Sequence, residues 1–131
     1  LPNVTFMRRT SDMSTVYGST KVLLAPSQWE EAWGRVASEA HCSAIPVLGS
    51  DRGGLGQAIG PGGVALPHDA PTEVWVEALR NMWFDEAVYA DLSAKALEYA
   101  KRPALDFHRQ HETFLSVLKS AIAHQGALSD A

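Results

Sequence analysis

Two glutamates eight positions apart, Glu31 and Glu39, lie in the segment P-S-Q-W-E-E-A-W-G-R-V-A-S-E-A, residues 26–40. Carboxylates accept hydrogen bonds from sugar hydroxyls. A helix beginning between them offers unpaired N–H groups and the positive end of its dipole, which suit a phosphate. One carboxylate for each of two sugars, with a phosphate cradle between, is what a nucleotide sugar needs. The same residues also read as an ordinary strand–loop–helix with two surface glutamates, because such pairs are common.

The elements that must position these residues follow from local pattern. Val22-Leu23-Leu24-Ala25 reads as a buried parallel strand, and Pro26-Ser27 ends it. Gly34 to His41 reads as a helix, with Gly34, Ala37, Ser38 and Ala40 small enough for close packing. Glu31 then sits in the strand-to-helix loop and Glu39 within the helix. Further strands are expected at Val4 to Met7, Pro46 to Leu48 and Val64 to Leu66, and further helices at Asp12 to Gly18 and Leu55 to Ile59. Strands alternating with helices imply a parallel sheet with helices on its faces. After a Pro-rich linker at 67–71, Thr72 is expected to cap a helix running to about Trp83. A second helix is expected from Asp85 to about Lys101, and a third, after Pro103, from Ala104 to about His124. The third carries Phe107, His111, Phe114, Leu115, Leu118 and Ile122 on one face, and Gly126 to Ala131 reads as a frayed tail.

Several linked motifs in order carry a resemblance. V-L-L-A-P-S precedes Glu31, seven residues separate it from Glu39-Ala40, and I-P-V, S-D-R-G-G-L and G-P-G-G-V-A-L follow. N-V-T-F-M and S-D-M-S-T-V-Y lie upstream. This pattern resembles the donor-binding domain of retaining glycosyltransferases of the GT-B fold, in the glycosyl transferases group 1 family. The chain departs from it at Arg8, where glycine is usual, at Gly56-Gln57, where Pro-Glu is common, and at His41-Cys42-Ser43, where Ala-x-Gly is usual.

The resemblance implies an α/β, Rossmann-like three-layer fold, with βα units over residues 1–66 and C-terminal helices over 67–125 of a partial domain spanning 1–131. It implies a nucleoside-diphosphate sugar as donor, retention on transfer, no cofactor and no metal. Glu31 becomes the candidate catalytic residue, contacting hydroxyls of the transferred sugar, with no nucleophilic role assigned. Backbone N–H groups of Ala32, Trp33, Gly34, Arg35 and Val36 would hold the diphosphate. Glu39 would bind the ribose hydroxyls, and the loop at Arg9-Thr10 would lie beside the base. The acceptor would be held by an N-terminal domain outside this chain. Self-association of the chain and peripheral membrane association of the full-length enzyme are both compatible with this reading. A non-catalytic Rossmann-like interaction module and a GT-B epimerase are the competing readings.

Bulk properties bound the rest. The 131 residues suffice for one modest core. A net charge of −4 argues against a nucleic-acid partner. The single cysteine, Cys42, rules out an internal disulfide, fits a reducing compartment and reads as a small buried residue. Together with the lack of a membrane-length apolar run or a leader at the start, it gives an expectation of cytoplasmic placement. The chain opens in a strand-like segment without an initiator methionine and is expected to be part of a longer protein. Trp29, Trp75 and Trp83 are expected to pack, whereas Trp33 falls in the phosphate loop. Among the histidines only His108 and His111 share a helix face, and no Asp-x-Asp or Gly-x-Ser-x-Gly occurs.

Overall fold

A computed structural model describes residues 1–129, with side-chain environments described for residues 1–123. Three short strands, β1 (Leu23–Ala25), β2 (Val47–Ser50) and β3 (Gly63–Leu66), form a parallel sheet in the order β1-β2-β3. Leu23 pairs with Val47, and Val47 in turn with Gly63. All four residues of β2 are buried, as expected for a central parallel strand. Around the sheet lie α1 (Met13–Gly18), α2 (Arg35–Cys42), α3 (Leu55–Ile59), α4 (Thr72–Phe84), α5 (Glu86–Ala100) and α6 (Phe107–Ser129). Short 3-10 turns at Gly60–Gly62 and Pro103–Leu105 connect them. The α/β class and the parallel sheet flanked by helices are those expected from sequence.

Small residues allow the central helices to approach. Ala37 and Ala40 of α2 join Ile45, Val47, Leu55, Ala58 and Ile59 in one buried cluster. On the other side of α2, α5 rests on the Gly60–Gly62 turn. A Cβ on Gly62 would come within 2.9 Å of the Ala96 methyl and of His41 Nε2. The G-P-G-G run is therefore a packing platform for α5.

Several expectations need correction. Val4 to Met7 is not a strand: the segment is exposed coil, with Phe6 94% accessible. A strand needs a neighbour for its N–H and C=O groups, and these residues pair with no strand. Thr72 is the first helical residue of α4, not its cap, and Pro71 takes the cap position. Asp85 caps α5, its Oδ1 accepting from the N–H groups of Ala87 (3.0 Å) and Val88 (3.1 Å). Cys42 is exposed because it ends α2 on the solvent side. Trp29 and Trp83 are largely exposed rather than core. Helix α6 continues to Ser129, over much of the stretch expected to fray, while Asp130 and Ala131 lie outside the described residues. The apolar residues of its face, Phe107, Phe114, Leu115, Leu118 and Ile122, are all exposed.

Helix α2 ends in a Schellman motif, with the Ile45 N–H donating to the Ala40 carbonyl and the Ala44 N–H to that of His41, both at 3.0 Å. Ala44 occupies the left-handed position at φ 56°, normally taken by glycine. Its carbonyl accepts from the Ser93 hydroxyl of α5 at 2.7 Å. Ala44→Gly should relieve the strain and raise stability by about 0.5–1 kcal/mol. An unchanged or lowered urea midpoint would show that Ala44 bears no strain here.

His41 is buried, and neither ring nitrogen has a hydrogen-bond partner among the described residues. Burial, and next the Arg102 charge, hold its pKa below the ordinary value; the nearby Gly62 backbone opposes them weakly, without good hydrogen-bond geometry. The unfolded chain therefore binds this proton first. Stability should be fully present above about pH 6.5 and fall as pH drops below it, by at most about 1.4 kcal/mol per pH unit. Urea midpoints measured from pH 8 to 5 in the parent and in His41→Gln check this; equal slopes would exclude His41 as the source.

Candidate functional site

The loop after β1 and the start of α2 are built by close backbone contacts. Ser50, buried at the end of β2, donates its hydroxyl to the Ser27 carbonyl at 2.6 Å and ties the loop to the sheet. Glu31 then forms an isolated parallel bridge with Gly53, and the Gly54 N–H donates to the Glu31 carbonyl at 2.6 Å. Gly53 has φ +56°, and a Cβ there would stand 2.8 Å from the Glu31 nitrogen. On Gly54 a Cβ would stand 2.8 Å from the Ala32 carbonyl carbon and 3.0 Å from the Trp33 Cα. Gly53-Gly54 is thus the bed on which the Glu31–Trp33 backbone lies.

Gly34 caps α2 in the left-handed conformation, φ 67° and ψ 50°. Its Cβ would meet Leu55 Cδ1 at 2.7 Å, so both dihedral and space demand glycine. With no side chain capping α2, its first-turn N–H groups have no side-chain acceptor. Arg35 and Val36 open the helix and are exposed, whereas the Gly34 backbone is buried. The Trp33 ring faces the Arg102 guanidinium at 5.6 Å. Arg102 also stacks on Tyr99 at 3.9 Å and donates to Ser38 Oγ at 3.2 Å, which fixes the start of α2 against α5.

Glu39 projects from α2 and is held at both oxygens. Oε2 accepts from the Tyr17 hydroxyl at 2.9 Å, and Oε1 accepts from Arg35 Nε at 3.1 Å. Burial, reinforced by the Glu39 hydrogen bond, pushes the Tyr17 pKa up to about 12, so it stays a donor across the working range. Tyr17 lies on α1. Its N-cap, Asp12, accepts from the Ser14 hydroxyl at 2.5 Å and from the Ser14 N–H at 3.1 Å, and these contacts hold the Asp12 carboxyl below its usual pKa. Thr10 Oγ1 accepts from the Asp12 N–H at 3.0 Å, so the Arg9-Thr10 loop leads into that helix. Arg9 and Thr10 are exposed.

The structure therefore gathers Glu31 and residues 32–36 on one loop and helix start, with Glu39 beyond them on the same helix. Arg9-Thr10 joins only through α1 and Tyr17. Sequence reasoning missed Tyr17, Arg52, His68 and Arg102. Tyr17 was visible only within S-D-M-S-T-V-Y and Arg52 only within S-D-R-G-G-L, and no local pattern flagged the other two. Among the described residues no three His, Cys, Asp or Glu side chains gather to hold a metal ion. No described helix is long and apolar enough to cross a membrane. A surface depression runs along α4 and α5, lined by Glu77, Arg80, Asn81 and Phe84. The ledge formed by the Glu31 loop and the start of α2 is partly exposed, at Ala32, Arg35 and Val36.

A parallel sheet flanked by helices, with a carboxylate-bearing loop and a helix start at the carboxyl ends of its strands, defines an α/β, Rossmann-like architecture. The chain belongs to the glycosyl transferases group 1 family, which matches residues 1–102. It is 34% identical over 115 residues to a D-inositol 3-phosphate glycosyltransferase of Saccharomonospora viridis, covering 86% of this chain and 26% of that protein. A protein of the same name from Rhodococcus opacus is 34% identical over 90 residues, covering 68% and 20%. That of Corynebacterium glutamicum is 30% identical over 95 residues, covering 72% and 22%. The chain thus spans about a quarter of the length of the curated relatives it matches.

Proposed function

We propose that this chain forms the donor wall of a retaining glycosyltransferase that uses a nucleoside-diphosphate sugar. The observation that carries the reading is the Gly34 helix start beside Glu31. There, the N–H groups of Arg35 and Val36 have no side-chain cap, and Glu31, four residues before the helix, has a carboxylate with no side-chain partner among the described residues. In this reading the N–H groups of Ala32 to Val36 hold the diphosphate. Charge grows on the leaving nucleoside diphosphate as the glycosidic bond breaks. A preorganised helix N-terminus stabilises that charge without reorganisation, which is the main electrostatic contribution of this wall. Glu31 orients the hydroxyls of the transferred sugar, Glu39 accepts from the ribose diol, and Arg9-Thr10 flanks the base. Tyr17 holds Glu39 ready, which lowers the ordering cost of ribose binding. No metal or other cofactor enters the scheme, and an acceptor site outside this chain would complete the cleft.

Titration of the chain with UDP, GDP and ADP tests this reading by calorimetry. One of them should bind, and the amide signals of residues 32–36 should shift in NMR spectra. Binding that leaves those amides unmoved would overturn the assignment, and the lack of any binding would favour an interaction module. D-inositol 3-phosphate, taken from the name of the relatives, is the first acceptor to test in a protein with a complete cleft.

A further inference from the structure

Arg52 lies two residues beyond β2, and His68 two residues beyond β3, at the carboxyl ends of adjacent strands. An Arg52 terminal nitrogen donates to His68 Nε2 at 2.6 Å. Arginine only donates, so this imidazole nitrogen is the acceptor of the contact. The His68 backbone is itself held, its carbonyl accepting from Gln28 Nε2 at 3.3 Å. The Glu31–Gly53 bridge is parallel and therefore runs Arg52 alongside Glu30 and Glu31, on the side away from Trp33 to Val36. If Glu31 meets the transferred sugar, Arg52 stands at the sugar end of the ledge and not at the diphosphate end.

The Arg52 charge has no ion-pair partner among the described residues, although Asp51, Asp69 and Glu31 are close along the chain or across the bridge. Its Nε is buried and has no acceptor. An unmet buried donor on a cation is costly, and a structural tie between two loops needs no charge. A half-buried guanidinium, fixed on one side by an imidazole and lacking a counter-ion among the described residues, suits an incoming oxyanion.

We propose that Arg52, positioned by His68, binds an oxyanion of the substrates at the sugar end of the donor site and so sets specificity. The proposal rests on the donor-site reading above. The oxyanion can come from a carboxylate on the donor sugar or from a phosphate on the acceptor.

The test is calorimetry on the parent, Arg52→Gln, Arg52→Lys and His68→Ala chains, each first checked for an unchanged thermal midpoint. The probes are the nucleoside diphosphate that binds and its hexose and hexuronate derivatives, and, on a protein with a complete cleft carrying the same substitutions, D-inositol 3-phosphate with plain inositol as control. A donor-borne oxyanion predicts that the parent prefers the hexuronate by at least about tenfold. Arg52→Gln should abolish that preference while leaving affinity for the nucleoside diphosphate unchanged. Arg52→Lys should keep part of it, and His68→Ala should reduce it. An acceptor-borne oxyanion predicts equal binding of hexose and hexuronate, with inositol phosphate bound in preference to inositol only while Arg52 is present. Either pattern supports the proposal. Arg52→Gln that changes none of these preferences overturns it, as does an equal loss for every nucleotide ligand, which would place Arg52 at the diphosphate. If the parent binds no nucleotide but still selects inositol phosphate through Arg52, the donor reading fails while an oxyanion site stands.

Discussion

Gly53→Ala is expected to destabilise the fold by roughly 2–4 kcal/mol, combining the strain of a left-handed alanine with the cost of overpacking. Gly53 sits at φ +56°, and the new Cβ would press on the Glu31 nitrogen at 2.8 Å. Neither obstacle is the end of a flexible side chain, so relief requires movement of the Glu31 backbone. Loss of the Glu31–Gly53 bridge should also reduce nucleotide binding in whatever fraction stays folded. Urea denaturation gives the first effect and calorimetry the second. A loss below about 0.5 kcal/mol would mean that the loop yields easily and does not hold Glu31 in place.

For Glu39→Gln the expected result is at least about a tenfold drop in affinity for the nucleoside diphosphate, with little change in stability. Charge-assisted hydrogen bonds to a ribose diol are worth roughly 1.5–3 kcal/mol each, and the amide weakens them. The Arg35–Glu39 pair is exposed, with Arg35 87% accessible, so solvent screening leaves it worth only a few tenths of a kcal/mol. Glutamine can still accept from Tyr17, which keeps α1 and α2 joined. Glu31→Gln should act differently: its proposed partner is the sugar, so affinity for the sugar-free diphosphate should stay near the parent value. Equal losses in the two variants would defeat the division of roles. Tyr17→Phe separates positioning from direct contact. It should weaken binding less than Glu39→Gln, because it frees Glu39 Oε2 without removing the carboxylate.

The readable parts of the sequence were those governed by short-range physics. Val22–Ala25, Pro46–Leu48 and Val64–Leu66 showed themselves as short apolar runs near Pro, Ser and Gly, and each contributes most of its residues to a parallel strand. The spacing from Glu31 to Glu39 could be placed on a loop and a helix because the small residues of α2 announce close packing. Val4–Met7 carried a similar apolar signal, yet formed no strand, because pairing depends on a neighbour that local sequence does not specify. Cys42 and Trp29 were misjudged for a related reason: residue type sets the tendency to be buried, whereas the direction a helix end or loop faces sets the outcome.

Contacts between distant segments were decided by tertiary structure alone. Tyr17 reaches Glu39 across 22 positions, Arg102 reaches Ser38 across 64, and Arg52 meets His68 because β2 and β3 end side by side. The role of Gly53-Gly54 was likewise undecidable from the dipeptide, which serves a simple turn as well as a ligand loop. Only the approach of the Glu31–Trp33 backbone shows that the missing side chains make room for the site's own main chain. Sequence alone determined the parallel α/β order and the two carboxylates, because periodicity and spacing are local properties. Tertiary structure decided which groups hold Glu39 and which charge is left without a partner among the described residues, because these depend on segments distant in sequence meeting in space.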